Sequence, residues 1–413
     1  MNFRNYFYLP VNLFSISWIL VFVLLFFIPP TYYKPSSTTL FIVTASIFSV
    51  ILGYIFYRLF FINHQLGFSI SENYKIAIIN FEKLFILVFL FSIFTTIAIY
   101  VMLSVLSEAR GGLANYFANP IMSRQLVAAA NEGKNWSLTL ALASYGGSLV
   151  HILCVLGGML FLSQKIHHKI ISILPLIIGI LYGISTFSRY TLITLISYWL
   201  LTVIFFSYYV NPELRKKAFV NLAIIFLILS VLILFAFYLI VALRSFTSHK
   251  SIFDIFLEQL YYYIVGNVIG LEQFFDQFKS FYWGTGIFRT VFRWLERLDL
   301  IENIVVPSTR FNFVKISPAL HINTYAYIRP LYEDFGTIGL LFLSLIWGMG
   351  TAKIMRSYES KFTLFRLYSV VVFSYALIMS FFGFYLLYIS KIIYELLIAF
   401  IVQKATFKII KSG

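Results

Sequence analysis

The sequence predicts an all-α polytopic membrane protein. Hydrophobic residues fill 61% of the 413 positions, charged residues fill only 11%, and the mean hydropathy is +0.89. Apolar runs of about 20 residues, the length that crosses a bilayer as a helix, recur along the chain. Lipid offers no partner for backbone N–H and C=O groups, so a span must be a helix or part of a closed barrel. Continuous runs without period-2 alternation favour helices.

We expect about ten transmembrane helices. The first apolar run is too long for a signal-peptide core and precedes no small-residue cleavage site, so it is interpreted as a retained span. The predicted spans cover residues 11–28, 40–61, 84–103, 138–162, 170–187, 192–210, 219–243, 335–353, 365–383 and 388–403.

The distribution of Lys and Arg predicts the orientation. The short connections on one side of the membrane carry 16 of them and those on the other side carry 5. Cytoplasmic loops carry the excess of cations, so both termini are expected in the cytoplasm. Three regions follow: 1–243 with helices one to seven and an outward loop at 104–137, the long outward loop 244–334, and 335–413 with the last three helices and a cytoplasmic tail.

Several function classes are excluded at this point. The net charge of +15 is scattered over short loops and does not predict nucleic-acid binding. The single cysteine, Cys154, rules out an intramolecular disulfide framework. Because the chain has no Gly-rich phosphate loop, no Gly-x-Ser-x-Gly elbow and no Cys/His metal pattern, no cofactor and no metal are expected. The pair His167-His168, in a short cytoplasmic connection, is interpreted as solvated.

The long outward loop is too long to be a mere connector. It has nine Lys/Arg and nine Asp/Glu, so its charges balance. Residues 251–278 are apolar enough to lie on or partly in the outer leaflet. Residues 287–298 follow the pattern of an amphipathic helix with an arginine stripe at i, i+4 and i+8. Gly284 and Gly286 precede it and suit a tight turn.

Arginines at the outer ends of spans are candidates for binding phosphate. Arg189, in a short outward turn, and Arg244, at the outer end of the seventh span, each have two interpretations: a clamp for a lipid diphosphate, or a side chain that snorkels to headgroups. Arg289 and Arg293 of the stripe either contact the same anion or lie on an anionic leaflet.

The end of the loop carries the candidate acid and base groups. His321 has an unperturbed pKa suited to proton abstraction from a sugar hydroxyl, but it can equally be structural. Arg329 lies four residues before Glu333, which predicts an ion pair. Asp334 has no partner at that spacing, which makes it the better candidate base. Four further side chains can either bind a glycan or satisfy the loop: Asn323, Thr324, Tyr325 and Tyr332. Arg329 is a fifth candidate for glycan binding.

The run Asn323-Thr-Tyr-Ala-Tyr-Ile-Arg-Pro-Leu-Tyr-Glu-Asp-Phe-Gly-Thr-Ile-Gly339 resembles the signature of O-antigen polymerases, the Wzy-type oligosaccharide repeat-unit polymerases. Tyr261-Tyr-Tyr-Ile-Val-Gly-Asn267, Gly284-Thr-Gly286 and Ser188-Arg189 agree with it. The chain is also similar to O-antigen ligases, in which a His-Asn pair precedes Glu-x-Gly. Here Ile322 separates His321 from Asn323 and the acids read Glu-Asp-Phe-Gly, which favours the polymerase.

The resemblance implies a metal-independent glycosyltransferase of GT-C-type architecture at the periplasmic face of the bacterial inner membrane. Its substrates would be oligosaccharides linked to undecaprenyl diphosphate, and its expected partners are membrane lipids and a chain-length regulator. Arg189, Arg244, Arg289 and Arg293 would hold the diphosphate, and His321 or Asp334 would act on the acceptor. Two alternatives stay open: a ligase, and a lipid-linked oligosaccharide flippase, for which Lys391 and Glu395 in the last span are the main support.

Overall fold

A computed structural model of the protein describes residues 8–27, 32–63, 80–119, 122–123, 125–127, 137–207, 238, 252–278, 281–288, 291–292, 295–296, 298–301, 314–318, 321–322, 326–360, 362–383 and 389–406. Within these ranges the chain is almost wholly helical. The helices are α1 (Leu9–Phe26), α2 (Ser37–Asn63), α3 (Phe81–Glu108), α4 (Leu113–Ala118), α5 (Leu138–Ser148), α6 (Val150–Phe161), α7 (Ile166–Ser185), α8 (Arg189–Ser207), α9 (Ile252–Gln277), α10 (Ile328–Ser360), α11 (Leu364–Ile378) and α12 (Ile389–Thr406).

Seven helical segments of the described chain are long and apolar enough to cross a membrane, which confirms the polytopic class. They are Leu9–Phe26, Ser37–Phe61, Phe81–Glu108, Leu138–Phe161, Ile166–Ser185, Ile328–Ser360 and Leu364–Phe381. A shorter apolar helix runs from Thr191 to Ser207, where the sixth span was predicted. The tenth predicted span corresponds to α12, which carries three charged residues. The seventh, 219–243, lies outside the described residues except for Tyr238, which is helical.

The chain divides into two compact units. The first comprises Met1–Asn73, Glu258–Lys361 and Val372–Tyr394; the second comprises Tyr74–Leu257, Phe362–Val371 and Glu395–Gly413.

In the first unit, α2 packs along α10. Two glycines let the helix backbones approach, because a Cβ on Gly53 would lie 2.1 Å from the carbonyl oxygen of Leu345, and one on Gly348 would lie 2.0 Å from that of Val50. Small residues at helix interfaces serve this purpose in membranes. Farther along the same pair of helices, the buried Arg58 guanidinium binds the Glu359 carboxylate through two nitrogens, one of them at 2.9 Å.

The first unit also contains the only β-strands in the described residues. Strands β1 (Val314–Lys315) and β2 (His321–Ile322) pair antiparallel, with Val314 opposite Ile322 and Lys315 opposite His321. Ile322 is buried and its side chain lies beside Gly266 of α9. The segment 251–278, predicted as an apolar stretch on the outer leaflet, forms the single helix α9 and buries Val265, Val268 and Ile269.

In the second unit, α6 is buried along its whole length and contacts α3, α7 and α8. The indole Nε1 of Trp199 in α8 donates to the carbonyl of Ser172 in α7 at 2.9 Å. The predicted span 138–162 is interrupted at Leu149, where α5 ends and α6 begins.

Candidate functional site

The candidate site begins at a break in α10. Gly336 has φ 66° and ψ −166°, a conformation that only glycine adopts readily, so the helix is interrupted there. The break leaves the carbonyl oxygens of Glu333 and Asp334 to other donors. The amide of Tyr282 donates to Glu333 at 2.9 Å and the amide of Trp283 donates to Asp334 at 3.1 Å. Residues 281–288, which we term the docked loop, are thereby held against the start of α10.

The side chain of Asp334 completes this docking. It is fully buried, its Oδ1 accepts from the amide of Gly286 at 3.0 Å, and its Oδ2 accepts from the amide of Ile287 at 2.7 Å. A Cβ on Gly286 would lie 2.8 Å from Oδ1, so no other residue fits there without a shift. The two sequence signals Gly284-Thr-Gly286 and Glu333-Asp334-Phe-Gly336 are therefore two sides of one contact.

This contact bears on the candidate base. The helical spacing of side chains predicts no partner for Asp334, because no cation lies one turn away on its own helix. The partners are backbone amides 47 and 48 residues earlier in the chain. With both oxygens accepting N–H groups and no exposed surface, Asp334 fixes the loop in this conformation. Its role in proton transfer stays a prediction.

The predicted ion pair between Arg329 and Glu333 is confirmed. Nε of Arg329 donates to Oε1 of Glu333 at 2.8 Å, and both residues are buried. The guanidinium carbon also lies 4.6 Å from the ring centroid of Phe274 in α9. The pair thus neutralises the acid beside Asp334 and ties α10 to α9.

Tyr332 lies in an aromatic cluster. Its ring centroid is 4.6 Å from that of Phe275 and 5.5 Å from that of Phe278, and the rings of Phe274 and Phe281 border it more distantly. Trp283 of the docked loop extends this cluster through Phe281 at 5.9 Å. Trp283 is 75% exposed, and its backbone has a positive φ of 52°.

His321 is exposed and stands on β2, and its backbone carbonyl accepts a hydrogen bond from the Tyr262 hydroxyl of α9. It belongs to the same unit as Glu333 and Asp334. The three predicted glycan-binding residues that follow it, Asn323, Thr324 and Tyr325, lie outside the described residues.

A carboxylate of α9, Glu272, holds the start of α2. Its Oε2 accepts from the amide and from the hydroxyl of Ser36, both at 2.8 Å. Burial alone would raise the pKa of Glu272, but hydrogen bonds from Thr39 and Ser36 outweigh it and the pKa is lowered. The ring centroids of Tyr32 and Tyr261 are 5.5 Å apart, and the pKa values of their hydroxyls are raised to about 12, chiefly by burial.

Only part of the predicted diphosphate clamp can be located. Arg189 opens α8 after a tight turn in which Phe187 has a positive φ of 49°, and the hydroxyl of Ser188 accepts from the amide of Thr191. It belongs to the second unit. The side chain of Arg189 and all of Arg244, Arg289 and Arg293 lie outside the described residues.

Two polar clusters escaped the sequence analysis. His168 is not solvated as predicted: it is 1% exposed, and its Nε2 lies 3.4 Å from Oε2 of Glu82 in α3. Glu395 accepts a hydrogen bond from the Tyr368 hydroxyl and lies 3.5 Å from Nδ1 of buried His151. A histidine within an apolar run was the available signal for the second cluster, because an ionisable group inside a span needs a partner.

Comparison of the sequence with known protein families, with curated proteins and with solved structures finds no match in any of the three. The likeness to polymerases therefore rests on the motif residues themselves.

Proposed function

We propose that the chain is a membrane glycosyltransferase that polymerises undecaprenyl-diphosphate-linked oligosaccharide repeat units into O-antigen or a related surface polysaccharide. The observation that carries this proposal is the docked loop. The motif segments Gly284-Thr-Gly286 and Glu333–Gly336, far apart in sequence, meet through four backbone amides of one loop. Residues that share a motif and converge at one place are expected to serve one site.

The reaction transfers a growing glycan from its lipid diphosphate to a sugar hydroxyl of an incoming repeat unit. The acceptor hydroxyl needs a base within hydrogen-bond reach. Of the candidates, His321 has the side chain best able to reach an aqueous acceptor, because it is exposed while Asp334 is enclosed by loop amides and Glu333 is paired with Arg329. Asp334 then acts as a positioning residue.

The leaving lipid diphosphate develops negative charge. Preorganised guanidinium groups stabilise such charge strongly where water is excluded. Arg189 and Arg244 are assigned to this role, with Arg289 and Arg293 as further contacts to the same anion. Because Arg binds phosphate oxygens through a planar fork, a variant with Lys at one of these positions should keep little of the wild-type activity.

The docked loop offers a contact for the glycan. Trp283 combines a large exposed ring with a backbone conformation that costs free energy for a non-glycine residue. Strain of this kind persists where the surrounding structure enforces it, and it occurs often at ligand sites. We assign Trp283, together with Tyr332 behind it, to the sugar-binding surface.

A chromosomal deletion tests the reaction class. Loss of a polymerase leaves surface polysaccharide with a single repeat unit, loss of a ligase leaves bare core, and loss of a flippase traps units inside the cell. A ladder reduced to one unit is the expected result, and bare core would exclude the polymerase. Complementation with Arg189→Ala should fail to restore long chains while the protein is present in the membrane.

The base is tested in the same strain. If His321 takes the proton, His321→Ala should abolish chain growth, whereas Asp334→Asn should leave reduced but measurable growth. An inactive Asp334→Asn beside a fully active His321→Ala would assign the base to the aspartate instead.

A flippase is the second candidate function. His151 contacts Glu395, which also accepts a hydrogen bond from Tyr368, so ionisable groups lie buried inside the second unit. Transporters keep such groups along their paths. Trapping of repeat units inside the deletion strain would favour it over the polymerase.

A further inference from the structure

Three potential metal ligands meet in the second unit, at the starts of two helices. Glu82 lies in the first turn of α3, which Asn80 caps by accepting from the amide of Lys83 at 3.1 Å. His167 and His168 lie in the first turn of α7. One ligand atom from each of these three side chains lies within 4.8 Å of the other two.

The separation of two of these atoms suits a shared ion. His168 Nε2 and Glu82 Oε2 are 3.4 Å apart. Nitrogen and oxygen ligands at 2.0–2.1 Å from a tetrahedral zinc ion stand about 3.3 Å from each other. His167 is exposed, and its ring centroid is 4.4 Å from that of His168, so a rotation about its own side-chain bonds can bring a ring nitrogen to the same ion.

The neighbours of the ligands form an outer shell. Ser163 Oγ lies 2.7 Å from Nδ1 of the buried His168, which occupies that ring nitrogen and leaves Nε2 directed at Glu82. The Lys165 ammonium donates to Oε1 of Glu82, which leaves Oε2 for an ion. Partners of this kind orient the histidines and carboxylates of metal sites and are as much a part of them as the ligands.

We propose that Glu82, His167 and His168 bind a divalent transition-metal ion of the zinc class. Two imidazoles and one carboxylate select such ions over Mg²⁺ and Ca²⁺, which prefer oxygen ligands. Three protein ligands leave a fourth position for water. The ion would join the start of α3 to the start of α7. This proposal does not depend on the function assigned above. All three ligands belong to the second unit, whereas His321 and Asp334 belong to the first.

Calorimetric titration with ZnCl₂ tests the site. The full chain is purified in detergent, its affinity tag is removed, and bound metal is stripped with a chelator. We expect saturable uptake of one Zn²⁺ per chain and no comparable uptake of Mg²⁺. Even an outer-shell partner contributes roughly 10- to 100-fold in affinity, so Ser163→Ala should weaken binding by that factor and His167→Gln by at least as much.

His167→Gln is the decisive variant because the side chain is exposed and its replacement leaves the fold intact, which circular dichroism and gel filtration verify. His321→Ala is the matched control: it removes an exposed imidazole of the first unit and should leave the Zn²⁺ affinity unchanged. Absence of saturable Zn²⁺ uptake, or an unchanged affinity in folded His167→Gln, would overturn the proposal and leave Glu82, Lys165 and His168 as an ion-pair network that holds no metal.

Discussion

Replacement of Asp334 by Asn isolates the contribution of one carboxylate oxygen to the docked loop. In the wild type, the amides of Gly286 and Ile287 donate to Oδ1 and Oδ2 of Asp334. Asn keeps one acceptor but places an NH₂ group opposite one of these two amides. A hydrogen bond to a charged group contributes about 1.5–3 kcal/mol. Since Asp334 is fully buried, water cannot replace the lost partner. The docked loop should be less stable by about that amount.

Hydrogen exchange measured by mass spectrometry reads this change directly. At about 1.4 kcal/mol per decade, the amides of residues 282–287 should exchange roughly 10- to 150-fold faster in Asp334→Asn. Tyr282 and Trp283 should accelerate with Gly286 and Ile287 if the loop opens as a unit, although their own acceptors are backbone carbonyls.

The matched control is Glu333→Gln. It also removes one negative charge from the start of α10, but the Glu333 side chain binds Arg329 rather than the loop. Exchange in residues 282–287 should therefore change little in this variant. Equal acceleration in both variants, or none in Asp334→Asn, would refute the docking argument.

Three further outcomes are expected. The pKa of Glu272 is lower in the folded protein than its unfolded value of about 4.3, so the carboxylate stabilises the fold fully above that value and loses this effect as the pH falls through the folded pKa. Wild type should therefore melt at a higher temperature than Glu272→Gln at neutral pH, and this difference should vanish on acidification. Arg58→Met should destabilise the chain by about 3–5 kcal/mol by leaving the Glu359 charge buried, and Arg58→Met with Glu359→Leu should recover most of this loss in thermal melts. Gly336→Ala should lower the melting temperature and release the docked loop in hydrogen exchange, because a side chain at φ 66° and ψ −166° costs about 1–3 kcal/mol and would lie 3.1 Å from the Phe281 ring.

Much of the fold followed from composition and run length, because a span must hide its backbone from lipid whatever its neighbours are. The ends of the helices were harder to predict from the sequence. The prediction began the eighth span at residue 335, where the apolar run starts, but α10 begins at Ile328 because the polar residues before the run are helical as well. Hydropathy marks the membrane-buried part of a helix and not its end.

Some contacts of the candidate site and of the histidine cluster were predictable from the sequence and others were not. The pair Arg329 and Glu333 was predictable because a spacing of four brings side chains together on any helix. The partners of Asp334 and of His168 were not, because the amide of Ile287 and the carboxylate of Glu82 are 47 and 86 residues away in sequence. A single sequence carries no signal for contacts at that separation when the partner is a backbone group or a lone acid.

The break at Gly336 predicts which variant of this site should loosen the docked loop more. Two of the four docking bonds use backbone carbonyls, so no side-chain change at Glu333 or Asp334 removes them directly. Those carbonyls can accept from the loop amides because the break at Gly336 removes their acceptor role within the helix. Ala at position 336 either keeps the present φ and ψ at a cost in strain or takes helical angles and lets α10 bond those carbonyls itself, and both outcomes weaken the docking. Asp334→Asn removes only one side-chain bond. Exchange in the docked loop should therefore rise further in Gly336→Ala than in Asp334→Asn, and the reverse order would mean that the carboxylate, not the helix break, creates the docking site.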